Sequence, residues 1–177
     1  MIFQGRAWKF GDNIPTDVIT PIAILFKPID EMARHVLEAA NPEFPKKVQA
    51  GDIIVAGQNF ACSSGRAVAP KAIKAAGISV VIAESFARTF YRNAHEIGLP
   101  ILIAPGISKE VDEGDVLEAS IETGAIRNIT KERTIQAEPS PPFLLEMLKA
   151  GGIIPYVEQK GWSTDHAEPS GTTERRS

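Results

Sequence analysis

Between residues 52 and 104 the chain carries three apolar runs with almost no polar interruption: Asp52 to Ala56 (DIIVA), Ser79 to Ala83 (SVVIA) and Ile101 to Ala104 (ILIA). A strand buried on both faces reads this way, because successive side chains enter two different cores. Two stretches with helical spacing separate them. Arg66 to Ala76 predicts a helix, with Pro70 near its first turn and Gly77 closing it. Ser85 is the expected cap of a second helix, whose Phe86, Phe90, Ala94 and Ile97 form one stripe before Gly98 and Pro100 end it. Strand–helix–strand–helix–strand with short connections implies parallel strands joined by right-handed crossovers.

The flanks have other periods. After Pro105, the segments Val116 to Ile121, Ala125 to Ile129 and Arg133 to Ala137 alternate apolar and polar, separated by Thr123-Gly124 and Lys131-Glu132. They predict short antiparallel strands. Pro141 to Ala150 predicts a helix with Gly151-Gly152 behind it. Upstream, Asp30 is the expected cap of a helix to about Ala40, with Met32, Ala33, Val36, Leu37 and Ala40 at helical spacing. Pro15, Pro21 and Pro28 predict a loop ahead of it. The apolar stretch Ile2 to Phe10 ends at the turn signal Gly11-Asp12-Asn13 and receives no element. The polar stretch 161–177 predicts a disordered tail behind one domain over residues 1–160. The expected fold class is α/β: a parallel βαβαβ core plus short antiparallel strands.

Composition narrows the functions. A net charge of -3 points to neither nucleic acid nor an anionic membrane surface. No apolar run is long enough to span a membrane. The single cysteine, Cys62, rules out an internal disulfide, which suits a reducing cytoplasm, and it cannot by itself ligate an iron–sulfur cluster. The histidines His35, His95 and His166 make no i, i+4 ligand pair, so no metal site is expected in this chain.

The candidate chemistry lies in Gly57-Gln58-Asn59-Phe60-Ala61-Cys62-Ser63-Ser64-Gly65-Arg66, between a buried strand and a helix start. Ligands of open parallel sheets bind at the carboxyl ends of strands, and backbone N–H groups at a helix start favour anions. Arg66 can grip a carboxylate bidentately, and Ser64 can act as a base where amides and a guanidinium stabilise its alkoxide. The plainer reading is that Ser63 or Ser64 caps the helix while Arg66 lies in solvent, and capping is the commoner use of such serines. The loop contains neither G-x-x-x-x-G-K-[ST] nor G-x-G-x-x-G, which weakens a phosphate-binding reading. Cys62 reads as a small packing residue, Phe86, Phe90 and Tyr91 as core or interface, and Arg88, Arg92 and His95 as a solvated face or subunit contact.

Three blocks, GRAWKFGDNIPTDVITP, GDIIVAGQNFACSSGRAVAPKAIKAAG and VVIAESFARTFYRNAHEIGLPILIA, resemble in order and spacing the small subunits of isopropylmalate isomerase and archaeal homoaconitase. The resemblance runs from about Ile2 to Tyr156 and implies an aconitase-type swivelling β/β/α domain. It implies a hydro-lyase of 2-hydroxy acids, active only with a large subunit in a heterodimer or heterotetramer. That subunit's [4Fe–4S] cluster acts as Lewis acid, and this chain holds no cofactor. The family's Asn-Phe-Gly-Cys-Gly-Ser-Ser-Arg-Glu-His motif falls on Asn59 to Val68, which makes Ser64 the implied base and Arg66 the implied carboxylate ligand. Its Thr-Asp-x-Ile motif falls on Thr16 to Ile19, and Asp17 is the second implied catalytic residue; by itself Asp17 is equally a turn or cap residue.

The chain departs from the family at Ser63 and Gly65, which stand where the family has glycine and serine, and at Ala67 and Val68, which replace glutamate and histidine. A register shift by one position would promote Ser63 over Ser64. Ser63, Gly65 and Thr16 complete the expected substrate-binding set around Arg66. In the specificity loop, Phe26 stands where homoaconitase-like members place an arginine, with Lys27 beside it. This implies a substrate with an apolar or small far end, such as an alkyl-substituted malate in leucine biosynthesis. The alternatives are a non-catalytic or regulatory paralogue and a stand-alone small-anion binder.

Overall fold

The computed structural model describes residues 1–160; the expected disordered tail lies outside the described residues. Seven strands form one sheet in the order β4-β3-β2-β1-β5-β6-β7. They are β1 (Ile2–Lys9), β2 (Ile53–Ala56), β3 (Val80–Ala83), β4 (Ile101–Ile103), β5 (Val116–Ser120), β6 (Ala125–Asn128) and β7 (Arg133–Gln136). β1 to β4 are parallel neighbours and β1, β5, β6 and β7 antiparallel ones, so the expected mixed α/β architecture is present.

Among the described residues eight α-helices surround the sheet: α1 (Thr16–Ile19), α2 (Ile29–Ala33), α3 (Phe44–Lys47), α4 (Val68–Ala75), α5 (Arg88–Glu96), α6 (Ile107–Glu110), α7 (Pro142–Ala150) and α8 (Ile153–Lys160). The apolar runs are explained by two cores. Ile54, Ala56, Val81 and Ala83 enter one, with Ala72 and Ile73 of α4 and Phe90 and Ala94 of α5. Ile53, Val55, Val80 and Ile82 enter the other, with Ile107 of α6 and Leu148 of α7.

Four expectations need correction. The unassigned stretch Ile2–Lys9 is the central strand, pairing Ala7–Lys9 with β2 and Ile2–Arg6 with β5. The predicted loop around Pro15, Pro21 and Pro28 instead holds three short helical turns, with each proline as an N-cap. There the missing N–H costs nothing. The helix expected from Asp30 to Ala40 stops at Ala33, with Asp30 inside its first turn. Leu37 turns left-handed (φ 57°) and donates its N–H to the Ile19 carbonyl at 3.1 Å, which buries its side chain. Ser85 is not a helix cap: α5 begins after Ala87, and Ser85 Oγ instead accepts the Asn59 N–H at 2.8 Å. α3, α6 and α8 were not anticipated. Among the described residues no helix is long and apolar enough to cross a membrane.

Candidate active site

The loop from Gly57 to Ala67 leaves the carboxyl end of β2 and is held on both sides. Towards the N-terminal segment, Asn13 N–H donates to the Gln58 carbonyl (2.8 Å), Cys62 N–H to the Ile14 carbonyl (3.2 Å) and Thr16 N–H to the Cys62 carbonyl (3.0 Å). Towards the strand β3 crossover, Phe60 N–H donates to the Ser85 carbonyl and Ala87 N–H to the Phe60 carbonyl, both at 3.0 Å. Phe60, fully buried, packs edge-on against Phe86 and Phe90 at 6.1 and 5.5 Å. Phe86, Phe90 and Tyr91 thus pack on the core, as read.

Within this frame Asn59, Ala61 and Ser63 all take positive φ, at 56°, 62° and 77°. Each costs an L-residue roughly 1–2 kcal/mol, and strain of this kind clusters at functional loops. The left-handed residues sort the loop into two pairs. Phe60 and Ala61 go inward, and Ser63 and Ser64 reach α1. Thr16 Oγ1 lies 2.6 Å from Ser64 Oγ and 3.3 Å from Ser63 Oγ. Thr16 is 1% exposed, so its hydroxyl is a fixed partner for both serines. Next along α1, Asp17 forms an ion pair with Arg66 Nη1. That nitrogen is buried and makes no linear hydrogen bond, so the contact is coulombic more than directional.

Ser64 and Arg66 are therefore brought together with Thr16 and Asp17, through the first two residues of α1. The helix-start arrangement is different from the expected one. α4 is capped by Ala67 with no side-chain hydrogen bond, so neither Ser63 nor Ser64 caps it and Arg66 precedes it. The two specificity-loop candidates lie elsewhere: Phe26 is completely exposed, and Lys27 pairs with Glu31 at 3.3 Å. Neither takes part in the hydrogen bonds or ion pairs of the cluster. A cavity of about 530 Å³ runs along α4, lined by Lys27 as well as Met32, Val68, Lys71 and Lys74. None of the four clustered residues lines it.

Gly65 has a structural reason. A Cβ there would meet Thr89 Cγ2 at 2.7 Å, so Thr89 occupies the space a serine at 65 would need. Asn93 Nδ2 donates to the Gly65 carbonyl at 3.2 Å. Neither residue was singled out from the sequence; their only signal is the i, i+4 spacing on α5. His95, read as part of a solvated face, is 1% exposed. Cys62 Sγ donates to the Asn13 carbonyl at 3.4 Å. Among the described residues no group of three or more His, Cys, Asp or Glu is gathered to hold a metal. A lone thiol engaged with a carbonyl does not fit a cluster ligand set.

The arrangement presents a hydroxyl held by a second hydroxyl, beside a guanidinium whose carboxylate partner, Asp17, is 48% exposed and can be displaced. Such a surface can receive a carboxylate and hold a proton-accepting oxygen next to it.

Comparisons with known proteins identify the family of this chain. A family model described as the aconitase C-terminal domain matches residues 28–105. The isopropylmalate/citramalate isomerase small subunit of Methanocaldococcus jannaschii is 52% identical over 161 residues, covering 90% of this chain and 95% of that protein. The 3-isopropylmalate dehydratase small subunit of Thermodesulfovibrio yellowstonii is 48% identical, covering 90% and 96%. The crystal structure of a 3-isopropylmalate dehydratase (LeuD) from M. jannaschii superposes with a TM-score of 0.86 at 43% identity, covering 90% and 95%.

Proposed function

We propose, from the premise that this chain belongs to the family of 3-isopropylmalate dehydratase small subunits built on the aconitase C-terminal domain, that it is the cluster-free half of a heteromeric hydro-lyase acting on an alkyl-substituted malate. The carrying observation is the cluster of Thr16, Ser63, Ser64, Asp17 and Arg66. Ser64 Oγ, having released its own proton to solvent, takes as an alkoxide the proton from the carbon next to a substrate carboxylate and becomes a neutral hydroxyl. Thr16 Oγ1, at 2.6 Å, donates to that alkoxide and, with the Arg66 charge, stabilises it before the transfer. Arg66 exchanges Asp17 for the substrate carboxylate, and a charged bidentate contact sets the substrate's orientation. A [4Fe–4S] cluster on the large subunit supplies Lewis acidity towards the substrate hydroxyl; this chain supplies no ligand to it. The fully exposed Phe26 supports an apolar wall at the substrate's far end, completed when the partner closes over it. Relatives named for isopropylmalate and citramalate support alkyl substituents of that kind. Leucine biosynthesis is the matching role, and the cytoplasm the matching compartment.

The test is co-expression with a cluster-bearing partner. Ser64→Ala is expected to co-purify with the partner and lose turnover. Wild-type-level turnover in Ser64→Ala removes it as the base. The substitutions Ala67 and Val68 favour one second reading, a non-catalytic paralogue; a purified wild-type complex with its cluster intact and no hydratase activity on any alkylated malate would establish it.

A further inference from the structure

The loop that carries Ser64 and Arg66 is tied to α1 by its side chains, but its own backbone is left without backbone partners over three residues. Among the described residues, Ser63, Ser64 and Gly65 enter no backbone–backbone hydrogen bond. Their neighbours do: Cys62 N–H donates to the Ile14 carbonyl at 3.2 Å, and the Arg66 carbonyl accepts from Ala69 N–H at 3.3 Å. Across the gap reaches one side chain. Asn93 Nδ2 donates to the Gly65 carbonyl at 3.2 Å, on the peptide that joins Gly65 to Arg66. Asn93 is buried on α5, beside the fully buried Ala94 and one turn from Phe90. Asparagine is a poor helix former and costly to bury without a partner, so local rules give no reason for it there. Gly65 is exposed, so water could satisfy its carbonyl, and desolvation does not demand the bond. What the bond adds is a fixed orientation of the peptide. One turn earlier on the same helix face, the Thr89 methyl fills the space beside the Gly65 Cα. Its β-branched side chain is stiff, so the methyl is a second fixed point.

We infer that Asn93 is a positioning residue: its amide, with the Thr89 methyl, clamps the Gly65 peptide and so sets where Ser64 Oγ stands relative to Arg66. The inference rests on the proposed function, since it takes Ser64 as the base and Arg66 as the carboxylate ligand. The order of events gives the clamp its purpose. Before substrate arrives, α1 holds both side chains, Ser64 through Thr16 and Arg66 through Asp17. When Arg66 exchanges Asp17 for the substrate carboxylate, its tie to α1 is gone. The α5 tie is untouched by that exchange, because it holds the backbone. It therefore keeps the loop in place while the proton moves, when a misplacement of about 1 Å can cost on the order of a hundredfold in rate. Loss of the clamp should fall on kcat and spare KM, because Arg66 still carries its charge to the substrate.

Two sets of variants test this, in the complex with the large subunit and in the full chain alone. Asn93→Leu keeps the shape of the side chain and removes the donor. With 3-isopropylmalate as substrate, its kcat should fall about tenfold or more while KM stays within about twofold. Gly65→Ala attacks the clamp from the other side, since its Cβ would meet Thr89 Cγ2 at 2.7 Å. It should lose kcat by a similar factor. Adding Thr89→Ser removes that methyl and leaves Thr89 Cβ and Oγ1 at 3.5 and 3.7 Å, which are ordinary contacts. Gly65→Ala with Thr89→Ser should therefore recover most of the lost kcat, a rescue that general damage to the fold would not show. Nitrogen-15 relaxation of the chain alone reads the clamp without turnover. In Asn93→Leu the Ser64 and Gly65 amide order parameters should drop from the rigid value of about 0.85 towards the flexible range below about 0.6. Wild-type kcat in Asn93→Leu, a loss confined to KM, no recovery in the double variant, or unchanged order parameters would each overturn the inference. If Asn93→Leu does not fold, the Gly65→Ala pair carries the test. Full turnover in Ser64→Ala would instead fail the reading of the site, and the order parameters would still decide the clamp.

Discussion

Ser63→Gly is expected to stabilise the chain and leave turnover intact. Ser63 has φ 77° and is exposed. The left-handed conformation costs an L-residue roughly 1–2 kcal/mol, and glycine removes that cost. Against this, glycine gives the unfolded chain more freedom, which offsets about 0.4–1 kcal/mol. The Ser63 hydroxyl lies 3.3 Å from Thr16 Oγ1, a long contact at the surface whose loss subtracts a few tenths more, on the order of 0.3 kcal/mol. The net gain is about 0.5 kcal/mol, a rise of roughly 1–2 °C in melting temperature. Ala61→Gly is the control. Its φ of 62° is equally strained, but its methyl is fully buried, and losing it costs about 0.8 kcal/mol. That variant should be close to neutral. Differential scanning calorimetry of the three proteins reads both effects. Destabilisation of Ser63→Gly by more than about 0.5 kcal/mol would refute the strain argument. Assaying Ser63→Gly in the assembled enzyme separates the two serines: abolished turnover there would transfer the base from Ser64 to Ser63.

Thr16→Val removes the 2.6 Å partner of Ser64 while nearly preserving volume; kcat should fall about tenfold or more with KM little changed, checked by steady-state kinetics of the complex. Asp52, 5% exposed, accepts from Trp8 Nε1 at 2.7 Å and from Arg6 Nη2 and Gln49 N–H at 3.0 Å, clamping β1 to the β2 entry. Asp52→Ala should cost about 3 kcal/mol in urea unfolding, because three donors lose one acceptor. His95 gives a pH signature. Its folded-state pKa lies below 6.5, so the unfolded chain binds more protons, and this stability is present above pH 6.5 and lost as pH falls towards the folded pKa. The melting-temperature difference between the chain and His95→Phe should therefore shrink from pH 7.5 to 5.5; a constant difference would contradict a buried neutral imidazole.

The members of the candidate site were legible from residue identity. Ser64, Arg66, Thr16 and Asp17 are the residues the structure assembles, in two motifs 48 positions apart for Thr16 and Ser64. What joins them was not legible. The cap reading of Ser63 and Ser64 follows from local rules, yet the bridge between Pro15 and Cys62 places both hydroxyls against α1 instead. Thr89 was invisible for the same reason, since only folding brings α5 against Gly65. The specificity loop shows the converse. Phe26 stands out by type, but in this chain alone it touches only solvent.

The sequence by itself determined the parallel core and the alternating antiparallel strands, because burial on two faces or one writes a period directly into consecutive residues. Tertiary structure alone decided β1, where α2 stops and how the candidate site residues meet. β1 is split between a parallel partner over Ala7–Lys9 and an antiparallel one over Ile2–Arg6, so neither period runs its length. Beyond the end of α2 at Ala33, the Ile19 carbonyl captures the Leu37 N–H and keeps the helix from resuming. In each case the deciding partner is distant in the chain. A long-range hydrogen bond or ion pair leaves no periodicity behind, only two residues that have no local reason to be where they are.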